Sequence, residues 1–142
     1  MAQASRTETF DVDINKLYDT IVDYASYPDF VDGCSSVNVI EQTEAGAKVE
    51  YGLNLIKKFK YTLILKHEKP NRVSWTFDSG DLFKMNEGSW ELKDNGDGTT
   101  EVTYSLEVDI KGFAPKKIVD NLTSKNLPAM MTSYKNRAKS RG

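Results

Sequence analysis

Residues 114–141 read APKKIVDNLTSKNLPAMMTSYKNRAKSR. Pro115 suits the first turn of a helix, where its missing N–H costs nothing. Ile118, Leu122, Met130 and Tyr134 recur at helical spacing, and Val119, Leu127 and Met131 widen the apolar stripe. Lys116, Lys117, Asp120, Lys125 and Lys135 occupy the other face. The pattern predicts one amphipathic helix over 114–141, and such a helix needs an apolar surface to lie on. Pro128 removes a donor that would bond the Ser124 carbonyl, which predicts a kink in mid-helix.

The preceding chain supplies that surface. Thr9, Asp11 and Asp13 alternate with Phe10, Val12 and Ile14, giving a first strand over roughly Ser5 to Val12. Asp13 can cap a helix over Ile14 to Tyr24, where Leu17, Tyr18, Ile21, Val22 and Ala25 share a face. Proline biases the residue before it away from helix, so a short second helix is expected to restart at Pro28 and to end at Asp32-Gly33. Six strands follow: Ser35 to Thr43, then runs carrying Val49-Tyr51-Leu53, Phe59-Tyr61-Leu63-Leu65-His67, Val73-Trp75-Phe77, Gly88-Trp90-Leu92, and Val102-Tyr104-Leu106-Val108-Ile110. Asp94-Asn95-Gly96-Asp97-Gly98 is a hairpin turn. Short connections make consecutive strands antiparallel. Each has one apolar face, so the sheet is covered on one side. The expectation is an α+β fold of β-α-α-β6-α order, a curved antiparallel sheet wrapped around the long C-terminal helix.

The inward residues are mostly large: Tyr51, Phe59, Tyr61, Trp75, Phe77, Trp90 and Tyr104. Gly88 stands among them without a side chain and leaves room. Residue types alone keep two readings open. One is a dry core with tyrosine tips reaching the rim; the other is a mainly apolar cavity with a few orienting polar groups. For the cavity, the expected ligand contacts are Tyr51, Tyr61, Trp75, Phe77, Gly88, Trp90, Tyr104, Leu122, Met130, Met131 and Tyr134. Phe30, Phe83 and Phe113 are placed at its mouth.

Size and charge narrow the function classes. A chain of 142 residues makes one domain, expected to span 1–142. The net charge of −2 gives no broad nucleic-acid footprint, and no DNA partner is expected. Cys34 is the single cysteine and His67 the single histidine, so cysteine-pair zinc sites and multi-histidine metal sites are excluded. No Gly-rich phosphate loop is present. Carboxylates fall mainly on outward positions, such as Glu87, Glu91, Glu101, Glu107 and Asp109. No catalytic set, metal or cofactor is assigned. The polar start, Met1 to Arg6, lacks a signal-peptide core, and no run is apolar enough to span a bilayer. A soluble, cytoplasmic, monomeric protein is the expectation. Three connections pair apolar residues with lysines: Leu55-Ile56-Lys57-Lys58, Leu82-Phe83-Lys84-Met85 and 111–117. They suit either a shallow transient membrane contact or side chains folded back as lids and core.

Tyr27-Pro28-Asp29-Phe30 followed by Cys34, and the run Leu82 to Leu92 with Phe83-Lys84 and Gly88-Ser89-Trp90, resemble the START-like (SRPBCC) superfamily. Within it the chain is similar to the polyketide cyclase/dehydrase group, and most to the branch of coenzyme Q-binding proteins and the ribosome association toxin. The resemblance runs from Ser5-Arg6-Thr7 to Arg137-Ala138-Lys139. It implies a helix-grip fold, a cavity between sheet and C-terminal helix, and a hydrophobic ligand: a lipid, a polyprenyl quinone or a polyketide. Three functions are therefore weighed. The first is a carrier for a hydrophobic small molecule. The second is a cyclase or dehydratase. The third is a ribosome-docking regulator of translation using the basic tail Lys135, Arg137, Lys139 and Arg141.

Overall fold

The computed structural model describes residues 2–31, 33–54, 58–111 and 127–141. Strand β1 (Ala2–Phe10) leads into helix α1 (Ile14–Ile21) and a 3₁₀ helix (Tyr24–Asp29). Strands β2 (Cys34–Gln42), β3 (Gly46–Asn54), β4 (Lys58–Glu68), β5 (Arg72–Gly80), β6 (Phe83–Asp94) and β7 (Thr100–Ile110) follow, and then helix α2 (Leu127–Lys139). The strands form one antiparallel sheet in the order β1-β7-β6-β5-β4-β3-β2. The α+β architecture expected from the alternation, with the helix-grip arrangement that the resemblance implies, is the one observed.

Local chemistry explains where the elements start and stop. Asp13 caps α1, its carboxylate accepting from the N–H groups of Asn15 and Lys16. The α-helix expected to run to Tyr24 stops at Ile21, and a 3₁₀ helix replaces the restart at Pro28. A 3₁₀ helix has three residues per turn, so residues three apart share a side. Here that puts Tyr24 and Tyr27 together, and both are buried. Pro28 lies inside this short helix and has no N–H to donate. β1 begins earlier than expected because it pairs with β7 along its whole length, from Ala2↔Val108 to Phe10↔Thr100. Val12 is buried in the following loop, where its carbonyl accepts from the Thr100 hydroxyl at 2.8 Å. The Asp94–Gly98 turn is a hairpin as expected, with Gly96 and Gly98 at φ of +83° and +88°.

The inner face of the sheet carries the core. Phe10, Val49, Val73 and Val102 are sealed there, with Leu17 and Ile21 of α1 and Met131 and Ala138 of α2 packed in the same cluster. A smaller cluster, Phe59, Leu82, Phe83 and Val108, closes one end. A β-bulge between Phe83 and Met85 changes the phase of β6, so that Phe83 and Asn86 both face inward. The far end of α2 is tied to the N-terminal elements. Lys139 pairs with Asp11 at 2.8 Å, Arg141 with Asp23 at 3.5 Å and Arg137 with Asp29 at 3.7 Å. Lys139 holds the Asp11 carboxyl below its ordinary range. Among the described residues no helix is long and apolar enough to cross a membrane. The kink expected at Pro128, together with Leu122, Phe113 and the loop 111–117 beyond Lys111, depends on residues outside the described ones.

Candidate functional site

Strand alternation delivers a row of aromatic residues to one face, and the sheet's curvature closes them around a cavity of about 210 Å3. Tyr51 and Tyr61 are directly opposite on β3 and β4, and their rings stack at 5.3 Å. Trp90 and Tyr104 are opposite on β6 and β7, edge to face at 4.8 Å. Tyr134 of α2 bridges the two halves, 4.7 Å from Trp90 and 5.5 Å from Tyr27. Tyr27 in turn meets Tyr51 at 6.1 Å, and Trp75 meets Tyr104 at 5.7 Å. Tyr61 abuts Phe83 at 5.1 Å. The result is one continuous chain of rings, Trp75–Tyr104–Trp90–Tyr134–Tyr27–Tyr51–Tyr61–Phe83. Leu63, Leu65, Val73, Leu106, Val108, Leu127 and Met130 fill the spaces between them.

The polar groups are few and neutral. The described lining residues include no Asp, Glu, Lys, Arg or His. Trp75 Nε1–H donates to Asn86 Oδ1 at 3.0 Å, and the Tyr27 hydroxyl donates to the Ile21 carbonyl. The hydroxyls of Tyr51, Tyr61 and Tyr104 find no hydrogen-bond partner among the described residues. No sealed side-chain polar atom there goes unpaired, so these hydroxyls open onto the cavity. Burial pushes Tyr51, Tyr61, Tyr104 and Tyr134 above the usual phenol range, with neighbouring phenols adding to the effect for all but Tyr104. They stay protonated. Burial also pushes the Cys34 thiol up to about 11. The wall can therefore bind and orient a neutral molecule, and its described residues include no group that is ionised at neutral pH.

The residues singled out in the sequence divide on inspection. Tyr51, Tyr61, Trp75, Trp90, Tyr104, Met130 and Tyr134 come together on the cavity. Gly88 does not leave the room expected of it, because the Trp75 indole occupies that space. A Cβ at Gly88 would fall 2.4 Å from Trp75 Cζ2 and 2.4 Å from the Ser105 carbonyl oxygen. Met131 is fully enclosed on the core side of α2, one residue round from Met130. Phe77 packs on Phe83 in the end cluster. Phe83, expected at the mouth, is 1 % exposed because the β6 bulge turns it inward as a wall. Phe30 lies edge-on to Tyr134 at 5.2 Å beneath the Arg137 guanidinium and is not one of the residues lining the cavity. Leu122 and Phe113 fall outside the described residues. Asn86, Tyr27 and Cys34 line the cavity and were not picked out as contacts. Counting back by twos from Leu92, Trp90 and Gly88 reaches Asn86, so alternation alone would have found it.

Cys34 and His67, the single cysteine and the single histidine, have separate hydrogen-bond partners and do not form a nucleophile–base pair. His67 is hydrogen-bonded to the Tyr24 hydroxyl at 2.8 Å, and Cys34 Sγ faces the Ser36 carbonyl at 3.7 Å. Among the described residues no group of three or more His, Cys, Asp or Glu could hold a metal ion.

Comparison with known proteins agrees with this architecture. A START superfamily protein from Mycobacterium smegmatis superposes with a TM-score of 0.84 at 15 % identity over 99 % of both chains. The Zhui aromatase/cyclase from Streptomyces sp. R1128 superposes with a TM-score of 0.78 at 12 % identity, over 99 % of this chain and 94 % of that one. In sequence, the ribosome association toxin RatA of Pseudomonas aeruginosa is 24 % identical over 126 residues, 87 % of this chain and 85 % of RatA. The family described as polyketide cyclase/dehydrase and lipid transport matches residues 10–134. That span runs from the last residue of β1 to Tyr134, taking in the cavity-lining residues named above, and the chain belongs to this family.

Proposed function

We propose that the protein binds an uncharged, largely apolar small molecule in the cavity between sheet and α2, as a carrier rather than a catalyst. The observation that carries this reading is the wall itself: aromatic and aliphatic, with free hydroxyls and one amide, and no charged side chain among its described residues. Burying an unpaired charge there would be expensive, whereas an apolar body with a few oxygens would not. A volume of about 210 Å3 suits a group of one or two rings, since drug-sized ligand pockets run from about 300 to 1,000 Å3.

A cyclase or dehydratase would need an acid–base pair poised near neutrality. The tyrosines here are shifted the opposite way by burial, and among the described lining residues no carboxylate or histidine stands beside them to act as base. Docking on a ribosome through the basic tail draws support from the likeness to RatA. Three of the four side chains it would use are already paired with Asp11, Asp23 and Asp29.

The test is native mass spectrometry, with organic extraction, of protein purified from its own cells. The expected outcome is a neutral small molecule in stoichiometric amount. Met130→Trp, which fills the cavity from α2, should fold and lose that molecule. A wild-type protein that carries nothing, and takes up no apolar probe when offered one, sinks the carrier reading.

A further inference from the structure

We propose that Asn86 decides which ligands the cavity accepts, by presenting a fixed hydrogen-bond donor that selects an uncharged apolar molecule bearing a carbonyl oxygen. The inference rests on the binding reading above and adds the polarity of the selection.

Asn86 is buried on the inner face of β6 and lines the cavity. An indole nitrogen can only donate, so the Asn86 atom 3.0 Å from Trp75 Nε1 must be the amide oxygen. That contact takes one of the two lone pairs of the amide oxygen, fixes the oxygen on the Trp75 side and turns the NH2 away from Trp75. The NH2 finds no acceptor among the described residues, and it is not sealed off, since no enclosed polar side-chain atom there is unpaired. It faces the cavity as a donor awaiting a partner. Turning the amide over would set two donors against each other at Trp75.

Trp75 is itself fixed. Its indole lies against Gly88, with no space for even a Cβ between them, and its other flank meets Tyr104. The tyrosine hydroxyls of the wall can rotate to donate or accept, and so adapt to either kind of ligand. Asn86 cannot. With no cation on the described wall, a carboxylate would enter unpaired, so its charge is a penalty rather than an attraction. The preferred ligand group is then a neutral acceptor, a ketone or a related carbonyl.

Four bicyclic probes of similar size separate these features: indanone accepts only, indole donates only, indene does neither, and indane carboxylate is charged. Isothermal titration calorimetry gives each affinity. Wild-type protein should bind indanone about threefold to tenfold more tightly than indene, the worth of one net hydrogen bond, and should bind the carboxylate most weakly. Asn86→Asp, at mildly alkaline pH, still accepts from Trp75 but has no donor, so indanone should lose its advantage and indole gain one. Trp75→Phe leaves Asn86 free to turn, and the indanone-to-indole ratio should fall toward one. Equal affinity of the wild type for indanone and indene, or tightest binding of the carboxylate, overturns the role of Asn86 while leaving the carrier reading intact. So does an Asn86→Asp protein that keeps the indanone preference. No binding by any of the four overturns the carrier reading and this proposal together. Where a variant does not fold, the wild-type indanone-to-indole ratio decides: rotatable tyrosine hydroxyls serve both probes, a fixed donor lifts the ratio above one, and a ratio of one overturns the role of Asn86.

Discussion

His67 and Gly88 show how single positions hold the site without lining it. Burial keeps His67 below its ordinary value of 6.5, so the fold favours the neutral ring, which stacks on Tyr24 and shares a hydrogen bond with its hydroxyl. Because the folded pKa lies below the unfolded one, the unfolded chain takes up the proton first. The stability this group contributes is complete above pH 6.5 and declines as pH falls toward the folded value. His67→Leu leaves a buried phenol without its partner and should cost about 1–3 kcal/mol at neutral pH. The same variant should flatten the loss of stability just below pH 6.5 in urea melts; an unchanged acid limb would place its origin elsewhere. Gly88→Ala should be destabilising by about 1–3 kcal/mol in thermal melts, since the Ser105 carbonyl is backbone and yields little. Asn86 was open to sequence reading by parity. The bulge that turns Phe83 inward was not, because an extra residue in a strand leaves no mark in an alternation read from one end.

At the level of elements, helix α2 acts through Tyr134 more than through a broad apolar stripe. That one ring touches Trp90, Tyr27 and Phe30 and so joins β6, the 3₁₀ helix and α2. Tyr134→Ala should cost about 3–5 kcal/mol, the usual penalty for deleting a buried aromatic ring, measured by urea unfolding. A loss below about 1 kcal/mol would mean that the surrounding rings close over the gap. The three ion pairs at the end of α2 are exposed to solvent and screened by it, so they bear on the helix's position more than on its stability. The seven strands and the two flanking helices were legible because one-sided burial leaves a period in the sequence. The 3₁₀ helix was not, since Tyr24 and Tyr27 three apart fit an α-helix equally well until the path around Pro28 is known.

On the scale of the whole molecule, the sequence disclosed a sheet with a crowded aromatic face and a helix to lie on it. Whether that face closed solid or around a space could not be read from residue types. It turns on how Trp75 and Tyr134 are tilted, and those tilts come from neighbours on other strands. The pairing of β1 with β7 carries a separate consequence, for synthesis. During synthesis β1 emerges about a hundred residues ahead of its sheet partner, from Ala2↔Val108 to Phe10↔Thr100. At roughly 5–20 residues per second, it waits several seconds or more as an unpaired edge. Its sequence, AQASRTETF, holds one large apolar residue, Phe10, at its very end. A strand that must be made first and docked last is thus one that can stay in water meanwhile, and the nascent chain keeps its stickiest strands for the interval when their partners are already at hand.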